Sequence, residues 1–356
     1  DALQSLLAGH TVGFALASGA ETFTVSAQTT PADLALQLQL ATAYLTDPGY
    51  RSEGETLYRQ SINTLFARKD ATPGSALGAA LGGILSDNDP RFTLQPVEAY
   101  RALTFAGLRA AIGDRLARGA IEIGIVGDVA EDEAIALVAR TLGALPPREP
   151  EFRPYAEQRS RTFSPDRTLR VVRHTGPADQ AIVRLTWPSR DGEDPLDVLR
   201  LELLERVMRI ALTERLREEL GKAYAPAASS ETPRVWPGYG TFAVAASVSL
   251  ADVPATRAAL RATVAELRRA PVSGDLLQRA RQPLLESLEN ALKTNRGWLA
   301  LVERAQSRPD RIARQIAAPA RLRALTGADL QAVAERYLDP AAALEIDVVP
   351  AAAPAP

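Results

Sequence analysis

The sequence predicts an α/β chain of the α+β kind, with two homologous domains in tandem. Each is expected to be a mixed β-sheet with helices mainly on one face. Three observations carry this expectation: short alternating runs are separated by pairs of longer helical runs, the two halves share a divergent internal repeat, and a proline-rich stretch lies between them.

The repeat is read from residues that recur in the same order at a nearly constant spacing. Leu103-Thr104, then Ala106, Leu108 and Leu116, precede I-E-I-G-I-V-G at 121–127. Leu325-Thr326, then Ala328, Leu330 and Leu338, precede L-E-I-D-V-V-P at 344–350. Arg59-Gln60 matches Arg281-Gln282, Thr22-Phe23 with Val25 matches Thr241-Phe242 with Val244, and Asp33 matches Asp252. The expected boundaries are 1–145 for the first copy, 146–166 for the linker, 167–350 for the second copy and 351–356 for a low-complexity tail. The second copy has a long stretch before Thr241 that the first lacks before Thr22. The first domain is therefore expected to be truncated, missing roughly 50 residues of its N-terminal portion by domain-length reasoning. The chain also starts at Asp1 without a methionine, so this end is not expected to be the native one.

Element by element, 22–28 alternates as a strand, and 31–46 and 51–68 carry helical periodicity. Helices are expected at 75–86, 96–115 and 131–142, with a buried strand at 120–127. Prolines at 146, 147, 150, 154 and 165 mark the linker. In the second copy, strands at 168–174 and 180–187 lead into a long helix across 194–220. Strands near 224–231 and 239–249 follow, then helices at 254–269, 274–293, 297–307 and 326–338, and a last strand at 343–349. The turn P-R-V-W-P-G-Y-G (233–240) joins two of these strands, with Trp236 expected to cover a domain surface.

Composition fits a soluble globular protein of 356 residues, 46% hydrophobic and 24% charged. A net charge of −2 argues against a nucleic-acid partner, which requires a basic face. No apolar run approaches the length of a membrane span. With no cysteine there is neither a disulfide framework nor a thiolate metal site.

The most informative run is L-R-E-E-L-G-K-A-Y (216–224). Leu212, Leu216 and Leu220 recur at helical spacing, and Gly221 is a natural left-handed stop. Arg217 and Tyr224 then flank a helix-to-strand junction, where guanidinium and phenol can both donate to one carbonyl or oxyanion. The same residues also suit an ordinary charged helix end followed by a strand tyrosine.

Recognisable catalytic machinery is absent. The two histidines, His10 and His174, have no second histidine at helical spacing, so H-E-x-x-H and H-x-x-E-H are both missing. G-S-A-L-G at 74–78 has its serine misplaced for a nucleophile elbow, and V-G-D at 126–128 opens no phosphate loop; Asp128 is expected near a helix start.

R-L-R-E-E-L-G-K-A-Y (215–224), after a long helix and before strands, resembles the C-terminal half of the pitrilysin/insulinase family of zinc metallopeptidases. T-T-P-A-D-L (29–34), L-T-D-P-G-Y-R (45–51), V-G-D-V-A-E-D-E-A (126–134) and G-A-L-P-P-R (143–148) agree in order. The resemblance implies the third and fourth of four related domains enclosing a chamber, with likeness to long bacterial periplasmic members. It implies that zinc is bound in an N-terminal half outside this chain, with no metal held here. Arg217 would then bind a substrate carbonyl and Tyr224 would stabilise the oxyanion. Implied partners are that N-terminal half and peptide or unfolded substrates. A non-catalytic assembly homologue of the same family is the alternative.

Overall fold

The computed structural model describes residues 2–221 and 226–352. The chain runs α1 (Ala2–Leu6), β1 (Ala15–Ser18), β2 (Phe23–Ser26), α2 (Leu34–Thr46), α3 (Ser52–Arg68), α4 (Pro73–Leu85), α5 (Val97–Arg101), α6 (Phe105–Arg118) and α7 (Glu131–Arg140). It continues β3 (Arg170–His174), β4 (Gln180–Ser189), α8 (Pro195–Leu220), β5 (Pro226–Glu231) and β6 (Gly240–Ser249). It closes with α9 (Val253–Arg269), α10 (Gly274–Ala291), α11 (Asn295–Val302), α12 (Asp310–Ala324), α13 (Gly327–Tyr337) and β7 (Leu344–Pro350).

These elements form two compact units, interleaved along the sequence. The first takes in 1–59, 102–154 and 290–315; the second takes in 60–101, 155–289 and 316–356. The chain passes between them after Pro154, inside the proline-rich stretch, and 60–101 packs with the second unit.

The second unit is built on a mixed five-stranded sheet in the order β3-β7-β4-β6-β5. Only β3 and β7 run parallel; the remaining neighbours are antiparallel. Alternation along β4 sends Ala181, Val183, Leu185 and Trp187 into one core, against α8, α9 and α13. Trp187 is 1% exposed and Phe242 fully buried, each contributing about 1.5–3 kcal/mol by burial. The Trp187 indole N–H donates to the Asp339 carbonyl at 2.9 Å, so its polar edge is satisfied. On the opposite face, Ile182, Ile346 and Val348 pack against Ala76 and Leu85 of α4.

The first unit has a smaller core, Leu34 and Leu38 of α2 with Leu137 of α7. Its sheet is the two-stranded ribbon β1–β2. The Gln37 side chain clamps Gly13, accepting from its N–H at 2.8 Å and donating to its carbonyl at 2.7 Å. The turn after α11 is held at two points. Glu21 accepts from Arg308 at 2.6 Å and pairs with Arg304, while Glu122 accepts from the Gln306 N–H at 2.6 Å.

Four local expectations are revised. Residues 120–127 form no strand: a strand exists by pairing, and the described residues of the first unit offer 121–127 no partner strand. In the second copy the matching residues form β7, which lies between β3 and β4. The helix expected over 96–115 is split into α5 and α6, because the Thr104 hydroxyl accepts from the Gly107 N–H at 3.1 Å and starts a new helix. The helix expected at 297–307 ends at Val302, and Arg304 follows at φ +59°. Helix α12, with Pro319 inside it, is an addition to the expected helices, as α10 accommodates Pro283 in the same way.

Candidate functional site

Helix α8 positions the run that the sequence singled out. Its start is fixed by Asp194, whose carboxylate accepts from the Leu196 N–H at 2.8 Å, with Pro195 in the first turn. Leu201, Leu204, Val207, Met208, Leu212 and Leu216 are fully buried, so the helix is anchored along its length. It stops where expected: Gly221 is left-handed at φ +61°, and its N–H donates to the Arg217 carbonyl at 3.1 Å.

Arg217 therefore stands in the last turn, next to the buried Leu216, with its own side chain exposed. A cation there is favoured by the partial negative charge of the helix C-terminus. Among the described residues its guanidinium has no hydrogen-bond or ion-pair partner. Tyr224 falls in 222–225, outside the described residues. The chain returns at Pro226 as β5, the outermost strand of the sheet.

Three residues elsewhere on α8 and the sheet escaped the sequence reading. Glu205 of α8 accepts from both the N–H and the hydroxyl of Ser230 on β5, each at 3.0 Å, and pairs with Arg209 at 2.8 Å. Its sequence signal was only that of a charged helix position. Glu202, one turn before, is part-buried, and burial followed by the nearby Glu205 charge pushes its carboxyl above the usual range. Arg184 of β4 lies on the sheet face away from α8, and the alternation V-R-L-T-W could have placed it there.

At the start of α8, Asp197 is 3% exposed. Its carboxylate accepts from Arg190 at 2.9 Å, Arg200 at 3.0 Å and the Tyr337 hydroxyl at 3.3 Å. Burial pushes its pKa up, but the hydrogen bonds from Arg190 and Arg200 outweigh it and hold the carboxyl below its ordinary value. This network ties α8 to α13.

The histidines do not form a metal site. His10 is exposed and pairs with Asp33 at 2.7 Å. His174 is 1% exposed, its Nε2 on the Gln180 carbonyl at 2.9 Å and its Nδ1 accepting from the Gly176 N–H at 3.1 Å. Among the described residues no three His, Cys, Asp or Glu side chains converge to hold a metal ion, so these residues do not fit zinc. Trp236 meets Phe92 edge to face, with ring centroids 5.2 Å apart. No helix among the described residues is long and apolar enough to cross a membrane.

A mixed five-stranded sheet backed by long helices defines the second unit as an α/β fold. The peptidase M16 inactive domain matches residues 102–284, just over half of the chain, and the chain belongs to that family. Solved structures share the fold. The periplasmic protease PqqL from Escherichia coli superposes with a TM-score of 0.80 at 16% identity, over 98% of this chain and 38% of PqqL. A protease from Helicobacter pylori gives 0.78 at 14% identity, over 95% of this chain and 82% of that one. A peptidase M16 inactive domain from Pseudomonas fluorescens gives 0.78 at 16% identity, over 97% and 82%. The chain thus spans well under half the length of PqqL. No curated protein matches it in sequence.

Proposed function

We propose that this chain is the C-terminal, non-zinc-binding half of a zinc-dependent endopeptidase that degrades peptides in an enclosed chamber. The metal and the general base would belong to a separate N-terminal half. This half would supply Arg217 to hold a substrate carbonyl and Tyr224 to donate a hydrogen bond to the developing oxyanion. The observation that carries the reading is the end of α8: a guanidinium with no partner among the described residues, on a helix turn fixed by buried leucines and stopped by a left-handed glycine. A periplasmic location is supported by the description of PqqL as a periplasmic protease.

Zinc content and oligopeptide cleavage test this on the chain alone and together with an N-terminal half carrying H-x-x-E-H. Zinc and cleavage only in the combined protein are the expected result. Neither in both would overturn it and favour a structural or assembly homologue of the family, a role compatible with the inactive-domain match.

A further inference from the structure

We propose that the sheet face of the second unit, away from α8, α9 and α13, carries a carboxylate-binding site centred on Arg184. This rests on the reading of the chain as part of a peptide-binding enzyme only for the source of the carboxylate.

On β4, Val183 and Leu185 point into the helical core, so Arg184 between them projects from the opposite face, as do Ile182 and Thr186. That face is covered unevenly. Toward β7, α4 seals it over Ile182, Ile346 and Val348. Beyond β4 the cover is partial: Thr186, Ala243 and Thr241 on this face are buried, Ala245 is half-buried, and Ala227 and Ser247 are exposed. Arg184 stands directly between Ile346 and Ala245, at the border of the sealed and open parts. Its neighbours across β6 and β5, Ala245 and then Ala227, are small and leave space above the sheet.

The guanidinium is oriented but not neutralised. Its Nε donates to the hydroxyl of the fully buried Thr186 at 3.0 Å. Its two terminal amino groups have no hydrogen-bond or ion-pair partner among the described residues. Burial pulls its pKa down, and Glu231 is the one charge that opposes this, without reaching ion-pair distance. Three other partly buried arginines have a carboxylate, Arg190 with Asp197 at 2.9 Å, Arg115 with Glu149 at 2.9 Å, and Arg257 with Asp347, while Arg148 directs its terminal amino groups to the Gly119 and Leu116 carbonyls. A half-desolvated cation without a counter-ion is disfavoured in isolation. A planar fork with both outer donors free matches the two oxygens of one carboxylate. The field of Glu231 favours a monoanion over a doubly charged phosphate. A peptide C-terminus and an acidic side chain both offer that group.

Arginine Nε–Hε NMR, with Arg184 assigned by loss of its signal in R184M, reads binding directly. The probes are acetyl-trialanine as free acid, the same peptide as its amide, and acetyl-Ala-Glu-Ala amide. A saturable shift at Arg184 with the free acid is expected, weaker by about tenfold or more for trialanine amide. Acetyl-Ala-Glu-Ala amide binding as well as the free acid would assign side-chain carboxylates as a second source. No saturable shift with either carboxylate, or an equal response to trialanine amide, overturns the site. R184K, which keeps the charge but lacks the fork, should bind more weakly than wild type, and unchanged binding would also overturn it. The readout needs no cleavage, so a carboxylate-dependent shift in a protein that never cleaves peptides would refute the peptidase reading alone.

Discussion

Glu205 reaches from α8 to the free edge of the sheet and takes both the N–H and the hydroxyl of Ser230, each at 3.0 Å. The Ser230 N–H therefore points away from β6, and by the two-residue period so do the backbone nitrogens of Ala228 and Pro226. Pro226 has no hydrogen to give, and Ser230 is already bonded. Of these three outward positions only Ala228 offers a free donor, so the strand is poorly suited to receive another.

Removing the carboxylate should open this edge. Glu205→Ala is expected to lose about 1.5 kcal/mol, the net worth of a hydrogen bond to a charged group, and to form larger species through β5. Urea unfolding and sedimentation velocity check the two effects. Glu205→Gln retains an acceptor and should fall between. Unchanged stability and sedimentation in the alanine variant would show that the edge is protected by something else.

Asp197 should matter for stability in a pH-dependent way. Asp197→Ala leaves two arginines short of their shared acceptor, and about 3 kcal/mol of unfolding free energy should be lost at neutral pH. The folded carboxyl titrates below its ordinary value of 3.8. Its contribution is therefore complete above that value and fades as pH falls through the depressed one. The gap between wild type and variant, followed by denaturant unfolding, should narrow below pH 3.8. A gap of constant size would assign the loss to packing.

Asp114 offers a spectroscopic check. Hydrogen bonds from Arg115, then from Arg118, lower its carboxyl from 3.8 to about 2. Any stability this confers is present above 3.8 and is lost as pH falls through about 2. Carboxyl carbon NMR should find the midpoint near the lower value, and Arg118→Gln should move it upward. A midpoint near 3.8 in wild type would mean that the contact is absent in solution.

The roles proposed for Tyr224 and Arg217 separate by kinetics in a protein that joins this chain to the proposed N-terminal half. If Tyr224 donates to the oxyanion, Tyr224→Phe should lower kcat by roughly 10²-fold with a smaller change in KM. Arg217→Ala, acting on substrate binding, should raise KM more than it lowers kcat. An unchanged kcat would reduce Tyr224 to a packing role.

The sequence was most informative where local chemistry and packing agree. Leucines at helical spacing and Gly221 placed the end of α8, because both describe one helix and its stop. Thr104 was present in the sequence, but helical periodicity on either side hid the break that its cap imposes. Residues 121–127 read as a strand since strand propensity is local, whereas pairing depends on partners elsewhere in the chain. The same limit applies to function. Arg217 was singled out from a run of adjacent residues, while Glu205 acquires its role only from Ser230, which the sequence alone does not bring beside it.

The interleaving of the two units also governs how the chain is made. The first unit includes residues 290–315, which supply the partners of Glu21 and Glu122. A ribosome delivers those partners only after it has synthesised four strands of the five-stranded sheet, β3 to β6, together with α8 and α9. The second unit waits longer still, because β7, which lies between β3 and β4, is synthesised after both of them and after 290–315. Each unit is therefore closed by a segment from the last fifth of the chain, and neither has all its parts until then.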